Sequence, residues 1–135
     1  MRGRSVLFAG LAAGLLAAGC GGSGKLQVKG RVLKGGAPLV PAAEEVVRVM
    51  FVPLPEAGER ATDFYMATVN LQDATFQAAG KDGRGVPPGK YRIAIEHLRN
   101  RKDLLKGAFD SERSPFVRDV NGQTGELVLD LDKPQ

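Results

Sequence analysis

Apolar and polar residues alternate along most of this chain beyond residue 25. Leu26-Gln-Val28-Lys-Gly30-Arg-Val32 sets its apolar side chains on one face, as a half-buried strand does. Residues 46–54 predict a second, more continuously apolar strand, closed by Pro53, Pro55 and Gly58. Residues 63–69 predict a third and residues 74–78 a short fourth. The clearest alternation runs over residues 90–98. Tyr91, Ile93 and Ile95 face one way there, and Lys90, Arg92, Ala94 and Glu96 the other. Residues 114–120 predict an edge strand with Pro115 near its start, and residues 125–131 alternate again. Turn signals separate the runs: Lys34-Gly-Gly-Ala-Pro38, residues 70–73, the long loop 80–89, and Asn121-Gly122. Residues 99–110 lack a strand pattern and predict a helical turn around Leu104-Leu105. Seven short strands with frequent turns predict an all-β domain, a β-sandwich spanning residues 25–133.

The first residues break this pattern. Met1-Arg-Gly-Arg4 is a short positive start, residues 6–18 are an apolar run, and Leu16-Ala-Ala-Gly-Cys20 leads into Gly21-Gly-Ser-Gly24. This is the pattern of a secretory signal peptide with a small-residue cleavage site. The apolar run falls short of the roughly 20 residues that span a bilayer. Cys20 is the single cysteine of the chain. Its setting resembles the lipobox of bacterial lipoproteins, with Ala17 where many lipoboxes carry Leu. The resemblance implies cleavage before Cys20 and transfer of diacylglycerol to its thiol. Residues 1–19 would then be the signal, 20–24 the lipidated cysteine and a flexible tether, and the sandwich an exported domain held at a membrane. Two or more acyl chains make a stable anchor where one is marginal. The alternative is an ordinary signal peptide that leaves Cys20 as a free thiol, a liability in an oxidising compartment. Gly21 follows Cys20 where an Asp signals inner-membrane retention in some bacteria, so the expected location is an envelope membrane: the outer membrane, or its periplasmic or cell-surface face.

The formal charge of the whole chain is +4, and removing Arg2 and Arg4 with the signal leaves +2. That modest excess, with six Phe, two Tyr and no Trp, gives no case for nucleic-acid binding.

Three stretches resemble carboxypeptidase regulatory-like domains. Val28-Lys-Gly30-Arg-Val32-Leu-Lys-Gly35-Gly-Ala-Pro38-Leu39 is similar to their opening strand and turn, and Val47-Arg-Val49-Met-Phe51-Val-Pro53 to their second strand. Asp73-Ala-Thr-Phe76, then Gly85-Val-Pro87-Pro-Gly89-Lys-Tyr91, resemble the Asp-Gly-x-Phe and Pro-Gly-x-Tyr elements that follow, with Ala74 in place of the usual Gly. The resemblance implies a seven-stranded transthyretin-like (prealbumin-like) sandwich and says far more about fold than about function.

The chemistry-bearing residues are sparse. Tyr91 is expected to bury its ring and donate its hydroxyl to a backbone group. His97 is the one histidine. It has no nucleophile or second ligand at a telling spacing and is expected to be a strand-end side chain. Intradiol dioxygenases, which share a related sandwich, hold iron with two Tyr and two His, a set that Tyr65, Tyr91 and His97 cannot complete. Asp82, Asp110 and Glu112 sit in loops without the twelve-residue calcium pattern. We therefore expect no cofactor, no metal and no catalysis. Arg99, Arg101, Lys102 and Lys106 form the one basic cluster. They are expected either to keep a sheet edge solvated or to touch an anionic surface. The expected role is a non-catalytic binding or scaffolding module that meets an envelope protein through its loops or a free sheet edge. A carbohydrate- or anionic-surface-binding module is the alternative, with Tyr65 as its tyrosine candidate.

Overall fold

The computed structural model describes residues 24–55 and 63–135. The expected signal peptide and Cys20 lie outside them. Among the described residues nine strands form: β1 (Val28–Lys34), β2 (Ala37–Pro38), β3 (Glu45–Pro53), β4 (Tyr65–Val69), β5 (Thr75–Ala78), β6 (Gly89–Arg99), β7 (Lys102–Asp103), β8 (Val117–Val120) and β9 (Leu127–Asp130). Seven of them fall on the alternating runs. The two extra strands, β2 and β7, have two residues each, too few to show any period.

One sheet curls through all of them. Its first layer runs β9-β1-β5, with β2 added at the end of β1, and its second runs β3-β6 with β7 and β8 along the far side of β6. β4 belongs to both layers. Its residues Tyr65, Met66 and Ala67 pair with β3, while Thr68 and Val69 pair with β5. All pairings are antiparallel except that of β1 with β9. The architecture is all-β and sandwich-like, with no helix among the described residues.

The alternation decides which side chains meet between the layers. Val28 and Val32 of β1, Val47, Val49 and Phe51 of β3, and Tyr91, Ile93 and Ile95 of β6 are all buried. An aromatic chain links the layers: the ring centre of Phe51 lies 6.1 Å from that of Phe76 and 5.9 Å from that of Tyr91, and Tyr91 lies 6.1 Å from Tyr65. The Tyr91 hydroxyl donates to the Pro87 carbonyl at 2.6 Å, the backbone bond expected of it. Burial pushes its pKa up to about 12, so the hydroxyl keeps its proton and stays a donor at neutral pH. Ala74 adopts a φ of 58°, the left-handed region that glycine enters most readily.

Residues 99–116 depart from expectation. Instead of a helical turn they make a hairpin into β7 and then a run of hydrogen-bonded turns. Lys106 and Gly107 take φ values of 54° and 74°, which breaks any helix after Leu104-Leu105. The segment lies along β6 and caps its edge. Ile93 N–H donates to Phe116 O, Ile95 N–H to Phe109 O, and Leu104 N–H to His97 O. The Asp103 carboxylate accepts the N–H groups of His97, Leu105 and Gly107, which fixes the turn against the strand. On the outer face Arg92 Nη1 donates to the carbonyl of Glu112 at 3.0 Å.

Candidate functional site

The capped flank of β6 directs attention to the outer strands. β8 follows Pro115 and carries Arg118 opposite Tyr91. An inward-facing charge on an outer strand discourages pairing with a new strand. The Arg118 guanidinium carbon sits 5.8 Å from the centre of the Phe116 ring, and its Nη1 donates to Val117 O, so the side chain is held at the core margin.

β9 has no such guard. Leu127 and Leu129 face the core, and Val128 is 48% exposed. Leu131 N–H donates to Leu33 O at 2.9 Å. Strand alternation therefore turns the main-chain groups of Leu127 and Leu129 towards β1 and those of Val128 towards the open side. The Asp130 carbonyl already accepts Lys133 N–H at 3.2 Å. The open side thus offers the N–H and C=O of Val128 and the N–H of Asp130, a short but continuous row.

The basic cluster lies at the end of the sandwich where β6 stops. Arg99 pairs in register with Glu45 of β3, and its guanidinium bonds the Glu45 carboxylate. His97 Nε2 stands 2.6 Å from the other oxygen of the same carboxylate, which also accepts Ala42 N–H at 3.1 Å. The Glu45 side chain is only 7% exposed and that of His97 13%. The Ala42 N–H, the His97 ring and the Arg99 charge together hold the Glu45 carboxyl below its ordinary pKa, against a smaller opposing effect of burial. His97 is thus a partner of a structural carboxylate. All four cluster residues are exposed, and Arg99 differs from Arg101, Lys102 and Lys106 in having its guanidinium bound to the Glu45 carboxylate.

The opposite end receives the chain from its N-terminal side. Leu26 and Val86 exchange both backbone hydrogen bonds at 2.8 Å, and Lys25 Nζ meets Asp82 Oδ2 at 2.6 Å. The Lys25 ammonium and the Arg84 N–H lower the pKa of Asp82. Asp110 likewise spends its carboxylate on its own loop, accepting Arg113 N–H at 2.8 Å and Glu112 N–H at 2.9 Å. These loop carboxylates do not converge. Among the described residues no group of three or more His, Cys, Asp or Glu side chains is arranged to hold a metal ion.

Beside an open cleft of about 710 Å³ over Leu54, Pro55, Pro88 and Lys90, two smaller clefts flank this end. One of about 240 Å³ is lined by Lys25, Phe64, Tyr65, Lys81 and Asp82. The other, about 390 Å³, lies on the outer face of the second layer over Met50, Val52 and Phe64, with Glu96 and Asp110 at its margin. Tyr65, the expected glycan candidate, is half-buried and packs edge-on against Tyr91. The exposed aromatic here is Phe64, one residue before β4. The sequence signal for it was available: residues 63–69 carry apolar side chains at both parities, so one apolar set has to face outwards.

Comparison with protein-family models, curated proteins and solved structures gives no match.

Proposed function

We propose that this chain is a membrane-anchored cell-envelope lipoprotein whose sandwich, of transthyretin-like type, is a non-catalytic binding or scaffolding module, and that β9 is the strand it offers to a partner protein. The lipobox-like Leu16-Ala-Ala-Gly-Cys20 supports the anchor. The seven longer strands, in two layers joined at β4, support the fold type. The observation that carries the binding role is the contrast among the flanks. β6 is capped along its length and β8 is guarded by Arg118, whereas β9 leaves the main-chain groups of Val128 unpaired within the described domain.

An extended peptide added to that edge takes its affinity from main-chain hydrogen bonds and its specificity from alternate side chains. The row on β9 is short, so the bond count is small. Holding the domain and its partner on one membrane compensates by raising their effective concentration. The engagement of His97 with Glu45, of Asp82 with Lys25 and the Arg84 N–H, and of Asp110 with its own loop supports a non-catalytic reading.

Cross-linking in cells with mass spectrometry of the captured species tests this reading, with Cys20→Ser and Val128→Pro beside the native chain. Proline at 128 removes an N–H that points away from β1, so it leaves the β1–β9 ladder intact and blocks strand addition. The expected result is one recurrent envelope protein, diminished by Cys20→Ser and lost with Val128→Pro at unchanged melting temperature. Undiminished capture by Val128→Pro refutes the β9 assignment. Recovery of lipid or glycan without a recurrent protein moves the surface-binding alternative forward, with exposed Arg101, Lys102 and Lys106 as its first candidates.

A further inference from the structure

We infer that the end of the sandwich where the chain enters makes a second contact with the same bilayer that holds the anchor, with Phe64 seated among the lipid headgroups. The inference rests on the reading of Cys20 as the lipidated residue.

Four residues, Gly21 to Gly24, separate Cys20 from Lys25. Fully extended, the chain from Cys20 to Lys25 reaches at most about 18 Å. Lys25 does not extend that reach, because its neighbour Leu26 is locked to Val86 by two hydrogen bonds. Gly85 makes the lock possible. Its φ is 110°, and a Cβ there would lie 2.2 Å from Leu26 O, so only glycine lets the two segments close. Any bilayer holding Cys20 therefore lies close to this end.

The surface presented there is suited to a membrane boundary. Phe64 is 53% exposed and shares a cleft with Lys81, Asp63 and the Lys25–Asp82 ion pair, so among the described residues Lys81 is the cation of that cleft without a carboxylate bound to it. Pro55 and Pro88 are exposed at the same end, and Arg84 and Lys90 add cations around it. An exposed ring beside lysines and arginines matches the apolar and phosphate levels of a lipid interface. The basic cluster beginning at Arg99 is at the far end of β6, an eleven-residue strand. At about 3.3 Å per residue that is about 33 Å away. The Debye length at physiological ionic strength is about 8 Å. With the near end seated, the cluster lies beyond the field of that bilayer and is held out towards whatever faces it.

The native chain has no tryptophan, so a single introduced one reports its own surroundings. Phe64→Trp and Leu71→Trp are made in the full chain, purified from membranes and reconstituted into phosphatidylethanolamine–phosphatidylglycerol vesicles with and without brominated acyl chains. Leu71 is 59% exposed in the β4–β5 turn, at the opposite end. Flotation and the intact mass of the anchor are recorded for each sample. The expected result is a blue shift and bromine quenching of the Phe64→Trp emission, with Leu71→Trp unchanged from its Cys20→Ser form in solution. If the protein floats and carries its lipid while Phe64→Trp emits as it does in solution, the seat is refuted and the lipoprotein reading stands. Equal quenching of both positions refutes the seat as drawn, since the domain then lies flat. A chain that neither floats nor carries lipid overturns the lipoprotein reading, and this inference with it.

Discussion

Replacing Gly30 with alanine tests how tightly the two layers are packed. Gly30 sits in β1 opposite Phe76 of β5 and beside Leu127 of β9. A Cβ there would lie 2.4 Å from Phe76 Cζ, 2.7 Å from its Cε1 and 2.5 Å from Leu127 O. Carbon atoms rest at about 3.5–4.0 Å, so the ring has to retreat by about 1 Å. Its way is blocked. The Phe76 ring packs against Phe51, which is fully buried, and the Leu127 carbonyl is part of the backbone of β9. Overpacking a core costs about 1–3 kcal/mol, and pressure from two walls puts Gly30→Ala at about 3. Alanine returns about 0.4–1 kcal/mol by restricting the unfolded chain. The net loss is about 2 kcal/mol, or about 10 °C in Tm for a domain of this size. Urea unfolding followed by far-UV circular dichroism on the Cys20→Ser protein measures it. Combining Gly30→Ala with Phe76→Leu relieves one wall, so the double variant recovers about 1 kcal/mol relative to additivity. A loss below about 0.5 kcal/mol for Gly30→Ala, or strict additivity, would refute the packing of Phe76 across Gly30.

Arg101 and Asn100 both adopt left-handed φ values, 65° and 51°, in the two-residue turn between β6 and β7. Asn-Gly is the favoured sequence for such a turn, so Arg101→Gly is expected to stabilise the domain by about 0.5–1 kcal/mol in the same urea assay. The Tyr91 hydroxyl, with its pKa pushed up to about 12, stays protonated in the fold after an unfolded tyrosine, with a pKa of about 10, has ionised. Its contribution is complete below pH 10 and declines as pH rises from about 10 to about 12. Tyr91→Phe is expected to cost about 1 kcal/mol at pH 7, through the lost bond to Pro87 O, and to flatten that alkaline decline in melting temperature.

The seven longer strands were legible because each spans at least two repeats of the two-residue period, and each buries one parity. Tyr91, Ile93 and Ile95 are the clearest example: all three are buried, as their alternation with Lys90 and Arg92 requires. Ala94 lies on the opposite parity yet is fully buried, which the alternation alone did not foretell. The covering of β6 by residues 99–116 was not legible. It depends on a turn-rich segment whose carbonyls at Phe109 and Phe116 find N–H groups on a strand already formed. The cluster at Arg99 looked uniform in sequence because its division depends on register. Only the pairing of β3 with β6 brings the Glu45 carboxylate to Arg99 and His97 and not to Arg101, Lys102 or Lys106. The open edge at β9 is hidden for the same reason, since no local pattern says which strand will lack a neighbour.

The parallel pairing of β1 with β9 also governs the order in which the domain can be completed. Among the described strands β1 is the first to be synthesised, and its partner on one side is the last. Until Leu127 to Asp130 arrive, the main-chain groups of Arg31 and Leu33 that face β9 stay unpaired. Closing so long a loop is slow, because its entropic cost falls before the contacts that repay it. A chain stalled in synthesis, or clipped ahead of Leu127, therefore exposes a β1 edge that the finished domain covers. That transient edge is where self-association would begin.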